Sequence, residues 1–196
     1  MNRVRIYLTG VGGQGTLTAT TLLARTALDQ GIEVVSGEIH GMAQRGGVVE
    51  STVLLGGFAS PRIGFGEANI LLGFEPLETL RALPYLKKKG YVFSNLDIMQ
   101  PVSVSAGIEK YPSLDDIKAA VNDVAEKAWF VACRECGIKA GSVQSGNTAL
   151  LAALCASGLL PFGVDALRQG ISKFLPPKLV DVNLAALEQG IAAISA

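Results

Sequence analysis

The chain has 196 residues, 49% of them hydrophobic and only 17% charged, which is ample for one domain with a full core. Seventeen Lys and Arg balance seventeen Asp and Glu, so the basic excess that a nucleic-acid or anionic-membrane surface needs is missing. The longest apolar run, Thr148 to Leu160, contains Ser157 and Gly158 and falls short of the ~20 residues of a bilayer-spanning helix.

A charge content this low fits a well-buried α/β domain, and it fits equally a domain with part of its surface covered by a partner, since interface cores are depleted in charge. Met1 to Val11 lacks the basic start, apolar stretch and small-residue cleavage site of a signal peptide. The expectation is a cytoplasmic protein whose residues 1–196 form a single domain.

Val4 to Thr9 is a β-rich run that meets a glycine cluster, Gly10 to Gly15. From Gln14 to Gln30 the apolar residues fall at helical spacing, and Gly31 ends that helix. Ile32 to Ser36 reads as a second strand. Glu38 to Gly47 reads as a polar, glycine-rich loop. Val48 to Leu55 reads as a third strand, antiparallel to the second because the loop is too short for a helical crossover. Ala68 to Gly73 is apolar but for Asn69, as a strand buried on both faces would be.

Pro76 suits the first turn of a helix, with Leu77, Leu80, Leu83 and Leu86 on its apolar face and Pro84 as an expected kink. Lys87-Lys88-Lys89 before Gly90 reads as the cationic end of that helix. Tyr91 to Phe93 is the next strand, and Pro101 to Ser105 a weaker one. Ser113 is the expected N-cap of a helix. Ala128 to Val131 is a further strand. From Gly146 the pattern is helical, in pieces 147–157, 163–173 and 181–195. Alternating strands and helices predict an α/β fold: a three-layer sandwich with a mostly parallel, Rossmann-like sheet and a helical C-terminal tail.

Three cysteines do not make a disulfide framework. Cys133 and Cys136 have C-x-x-C spacing, yet a zinc or iron–sulfur site needs about four ligands, and no second pair is present. The pair therefore reads as two small residues on the buried face of a helix.

Gly10-Val11-Gly12-Gly13-Gln14-Gly15 matches G-x-G-x-x-G, follows a strand and opens a helix. That context supports phosphate or dinucleotide binding at the helix N-terminus, with Glu33 or Glu38 as the acid expected about 20 residues later. It is equally met by a glycine turn that lets strand and helix pack closely. Three functions remain open on these grounds: an accessory enzyme subunit, a stand-alone NAD(P)- or flavin-binding oxidoreductase, and a coenzyme A or nucleotide-binding module.

About 25 residues beyond that loop stands His40-Gly41-Met42-Ala43-Gln44-Arg45-Gly46-Gly47. Together the two motifs resemble the gamma-type domain family of 2-oxoacid:ferredoxin oxidoreductases, in the form found in the beta subunits of its indolepyruvate branch. Tyr111-Pro112 before a helix, the strand ending Trp129-Phe130-Val131-Ala132, and Asn147 at the start of the apolar helix extend the likeness.

The resemblance implies oxidative decarboxylation of a 2-oxoacid, of arylpyruvate type, to an acyl-coenzyme A, with electrons passed to ferredoxin. It implies that thiamine diphosphate, magnesium and the iron–sulfur clusters sit on a larger alpha subunit, coenzyme A being the co-substrate. The sequence agrees with that division: it lacks the cysteine sets of clusters and any Gly-Asp-Gly segment followed by the Asn that would hold magnesium on a diphosphate.

The candidate ligand- or interface-loop residues are Gly10, Gly12, Gly13, Gln14, Gly15, Glu38, His40, Gln44, Arg45, Gly46 and Gly47. Arg45 suits bidentate contact with a carboxylate or phosphate, and histidine, here His40, is the residue type that changes charge near physiological pH. Both fit equally a role in holding the loop's shape through its carbonyls. No catalytic residue and no metal ligand is assigned.

Overall fold

Six strands form one sheet in the order β2-β3-β1-β4-β5-β6. They are β1 (Val4–Val11), β2 (Val34–His40), β3 (Val48–Leu55), β4 (Ala68–Gly73), β5 (Leu86–Asn95) and β6 (Lys127–Val131). The computed structural model describes residues 3–40 and 46–195, with the backbone alone at His40 and Ser195. Strands β1, β4, β5 and β6 run parallel, and β3 lies antiparallel between β1 and β2. The expected antiparallel pairing of the second and third strands is present.

The helices are α1 (Thr16–Asp29), α2 (Pro76–Ala82), α3 (Val102–Ser105), α4 (Leu114–Val124), α5 (Cys133–Ala140), α6 (Gly146–Ala156), α7 (Val164–Phe174) and α8 (Pro177–Ser195). Apolar side chains of β1 alternate between two cores, as period-2 geometry requires. Ile6 and Leu8 enter the larger core with α1, α5, α6, α7 and α8, while Tyr7 enters a smaller one with α2 and α4. The result is the predicted three-layer sandwich. Helix α6 is buried on nearly every side between sheet and α8, which explains a run of apolar residues without an exposed stripe.

Four local expectations need correction. Strand β2 continues to His40, so Glu38 lies inside a strand, paired with Ser51, and not in the loop. Helix α2 stops at Ala82, because Pro84 turns the chain through a 3-10 turn, Leu83–Tyr85, and Leu86 already belongs to β5. Lys87 to Lys89 therefore cap no helix. They lie where the β4–β5 register shifts, with Lys89 at a φ of 57°. Pro101 to Ser105 is not a strand: Pro101 caps α3, and Val102 N–H donates to the Gly46 carbonyl at 3.3 Å. Val-Ser-Val-Ser alternates like a strand, but tertiary bonding decided its conformation.

Candidate functional site

Parallel α/β sheets offer ligand clefts beyond the carboxyl ends of their strands. Here that edge is built from the β1–α1 turn, the end of β5, the β6–α5 junction and the start of α6. Two cavities open there, of about 240 and 430 Å³. Both are lined by Gly13, Gln14, Gln144 and Asn147.

Strand β1 runs through Gly10 and Val11, so the glycine turn proper is Gly12 to Gly15. A Cβ on Gly10 would stand 2.7 Å from Thr16 Oγ1 and 3.1 Å from Phe74 Cβ, so this glycine serves close packing. Gly13 and Gly15 have φ of 102° and 83°, the left-handed region that glycine adopts without strain. Gly15 is the N-cap of α1, which has no side-chain cap and no acidic residue in its first turn. Its first N–H groups are thus the free donors that suit an anion.

Gln14 turns inward: its Oε1 accepts from Val11 N–H at 2.7 Å, and its Nε2 donates to the Phe74 carbonyl at 3.1 Å. It braces the turn against β4. Asn147, half-buried at the start of α6, donates from Nδ2 to the Gln14 carbonyl at 2.5 Å. Asn95, at the end of β5, donates to the Phe74 carbonyl at 3.0 Å, and its Oδ1 accepts from Cys133 N–H and Asp97 N–H. Asp97 Oδ2 accepts from Arg134 N–H at 2.6 Å. The start of α5 is therefore already capped, whereas that of α1 is open.

The two glycine motifs meet directly. Gly12 N–H donates to the Gly47 carbonyl at 2.8 Å, and Gly46 N–H donates to the Gly12 carbonyl at 3.2 Å. Gly46 has a φ of 74°, and a Cβ there would stand 2.6 Å from Val102 Cγ2. Gly10, Gly12, Gly13, Gln14, Gly15, Gly46 and Gly47 thus form one unit. Glu38 is exposed on β2, with β3 between it and β1. A dinucleotide fold places its acid on the strand next to the glycine loop; an intervening strand adds about 5 Å, and Glu38 does not border either edge cavity. The His40 side chain, Gln44 and Arg45 lie outside the described residues.

Sequence reasoning left out Asn95, Asp97, Arg134 and Gln144, and quoted Asn147 only as part of a likeness. Single amides at strand ends carry no spacing signature; their positions at element junctions were the available signal.

The cysteines do not fit a cluster. All three are free and buried. Burial pushes the Cys133 and Cys136 thiols up, and Cys155 up to about 12, away from the thiolate a metal requires. Among the described residues no group of three His, Cys, Asp or Glu could hold a metal ion, and no helix is long and apolar enough to cross a membrane.

Fold and edge together define an α/β domain with a mostly parallel sheet and a glycine turn opening a helix at its ligand cleft. The chain belongs to the pyruvate ferredoxin/flavodoxin oxidoreductase family, whose model matches residues 5–193. It is 40% identical over 188 residues to an indolepyruvate oxidoreductase subunit, IorB, of Archaeoglobus fulgidus, covering 96% of this chain and 94% of that one. Pyruvate oxidoreductase subunit PORC of Thermotoga maritima superposes with a TM-score of 0.72 at 19% identity, covering 98% and 97% of the two chains. The 2-oxoglutarate:ferredoxin oxidoreductase of Magnetococcus marinus gives 0.70 at 16% identity, covering all of this chain but 31% of that one. At those identities the two structural likenesses speak for the fold.

Proposed function

We propose that this chain is the non-cofactor-bearing subunit of a 2-oxoacid:ferredoxin oxidoreductase acting on indolepyruvate or a related arylpyruvate. It works with a larger alpha subunit that carries thiamine diphosphate, magnesium and iron–sulfur clusters, coenzyme A being the co-substrate and ferredoxin the acceptor. Near-full-length identity of 40% to a named indolepyruvate oxidoreductase subunit supports the branch. The observation that carries the reading is the reciprocal Gly12–Gly46/Gly47 bonding beside an uncapped helix start. It joins both family motifs into one surface at the cleft.

Within that reading, the open N–H groups of α1 and the exposed Arg134 favour an anionic group, either a phosphate of coenzyme A or the 2-oxoacid carboxylate. The chain's own work is to bind, orient and cover. The Gln14, Asn95 and Asn147 amides hold the turn rigid, so that bound anions meet preorganised donors. Arg45 and His40 are proposed to complete this surface.

The test is purification from the native host without denaturation, followed by native mass spectrometry and ferredoxin reduction with indolepyruvate and coenzyme A. A larger, brown partner and arylpyruvate-dependent turnover are expected, with the isolated chain inactive. A colourless chain running alone that binds NAD or flavin would replace this reading with the dinucleotide one. In the complex, Arg45→Lys is expected to raise KM for coenzyme A or the 2-oxoacid by about tenfold, since the planar fork is lost. Unchanged Michaelis constants for both would remove Arg45 from the site.

A further inference from the structure

The sheet face away from the glycine turn carries a separate cavity of about 360 Å³. Strands β1, β2 and β3 floor it, and Pro61 to Ile63 and Tyr85 wall it. At its base the Tyr7 ring is only 3% exposed and stacks on Tyr85 at 4.2 Å. The Tyr7 hydroxyl is turned toward the Glu50 carboxylate and Tyr85, yet it completes a hydrogen bond of ordinary geometry with no described protein group. Buried hydroxyls are seldom left in that state. Burial and the facing carboxylate hold this phenol far above its ordinary pKa, so it remains a neutral hydroxyl.

Three charged residues line the cavity, Glu38, Glu50 and Arg62. Glu50 is half-buried and Arg62 exposed at the mouth. Neither joins an ion pair among the described residues, with each other or with a third group. Two carboxylates and a guanidinium thus line one hollow with no ion pair among them, and Ile63, Pro61 and Tyr85 supply apolar wall. That arrangement complements a small zwitterion with an apolar body.

We propose that this cavity binds a free α-amino acid with an apolar side chain, its ammonium on Glu50 and its carboxylate on Arg62. The side chain lies against Ile63 and Tyr85. The buried Tyr7 hydroxyl faces the Glu50 carboxylate from beneath the cavity floor. A 2-oxoacid is rejected, because it brings a carbonyl oxygen, not a donor, to Glu50. The site is therefore distinct from any that handles the oxoacid substrate. Its occupancy bears on the glycine turn through β1 and β3: Glu50 pairs with Thr9, and Val48 pairs with Val11 next to Gly12.

Calorimetric titration of the full chain with L-phenylalanine, L-leucine and phenylpyruvate tests this. Heat of binding is expected for at least one amino acid, with phenylpyruvate weaker by about tenfold or more, the scale of one lost charged hydrogen bond. Glu50→Gln and the exposed Arg62→Gln should each weaken the amino acid about tenfold, with melting curves unchanged. Absence of heat from both amino acids at about 10 mM, well above any useful affinity, overturns the proposal. So does phenylpyruvate binding as tightly as phenylalanine, or affinity unchanged in both Glu50→Gln and Arg62→Gln.

Discussion

The cleft edge and the opposite face of the same sheet are held together by different chemistry. At the cleft, Gln14, Asn95 and Asn147 tie strand ends to helix starts mainly through neutral amides and backbone groups, with the Asp97 carboxylate added at the start of α5. On the other face the ties are carboxylates. Glu75 is fully buried at the N-cap of α2, where it accepts from Glu78 N–H at 3.0 Å, Tyr111 hydroxyl at 2.6 Å and Met99 N–H at 3.3 Å. Glu78, equally buried, pairs with Arg81 at 2.6 Å, and Arg81 pairs with Glu109. These carboxylates pin the segment after β5, residues 96–112, onto α2. Amides hold geometry without titrating, whereas buried carboxylates hold it conditionally: burial raises the pKa of both Glu75 and Glu78 against the pull of their donors.

The largest effect expected is on the cleft side. A Cβ on Gly146 would stand 2.3 Å from the Cys133 carbonyl oxygen, a backbone atom that cannot swing aside. Gly146→Ala should lower unfolding free energy by about 3 kcal/mol, read by denaturant titration. A change near zero would mean that the α6–α5 junction yields easily, and the picture of a rigid cleft would fail. Asn147→Ala removes the donor to the Gln14 carbonyl and should cost about 1–2 kcal/mol. Its deficit should be the same at pH 5 and pH 8, since no titrating group is involved.

Glu75→Gln gives the contrast. The folded pKa of Glu75 is raised, so its protonated form favours the native state. That contribution is present below the unfolded value and is lost as pH rises through the folded one. The stability of the natural protein relative to Glu75→Gln should therefore fall between pH 5 and pH 8, in thermal melts at matched ionic strength. A gap that widens with pH would reverse the assignment.

The smallest effect lies far from both regions. Lys89 holds a φ of 57°, and its pairing with Glu126 at 3.9 Å is largely exposed. Lys89→Gly should relieve left-handed strain and raise stability by about 0.5 kcal/mol.

Much of this was legible in the sequence. β4 fell on its expected bounds, Ala68 to Gly73, β3 likewise on its own, and Ser113 caps α4 through Asp116 N–H at 3.1 Å. Each rests on local periodicity or cap chemistry. The two cysteines were rightly read as buried helix residues. What failed depended on distant partners. Val102 to Ser105 took helical form over Gly46, and Lys87 to Lys89 entered an irregular strand after Pro84 had ended α2.

The sequence by itself determined the α/β class, the glycine turn before α1, and the family through two motifs whose residue types are dictated by tight turns. Only the tertiary structure decided that those motifs bond to each other through Gly12, that β3 intervenes between β1 and Glu38, and that Asn95 and Asn147 brace the cleft. The reason is physical. Turn and period preferences act within a few residues and leave a trace in composition, whereas a single amide bridging positions 14 and 147 leaves none until the chain brings them together.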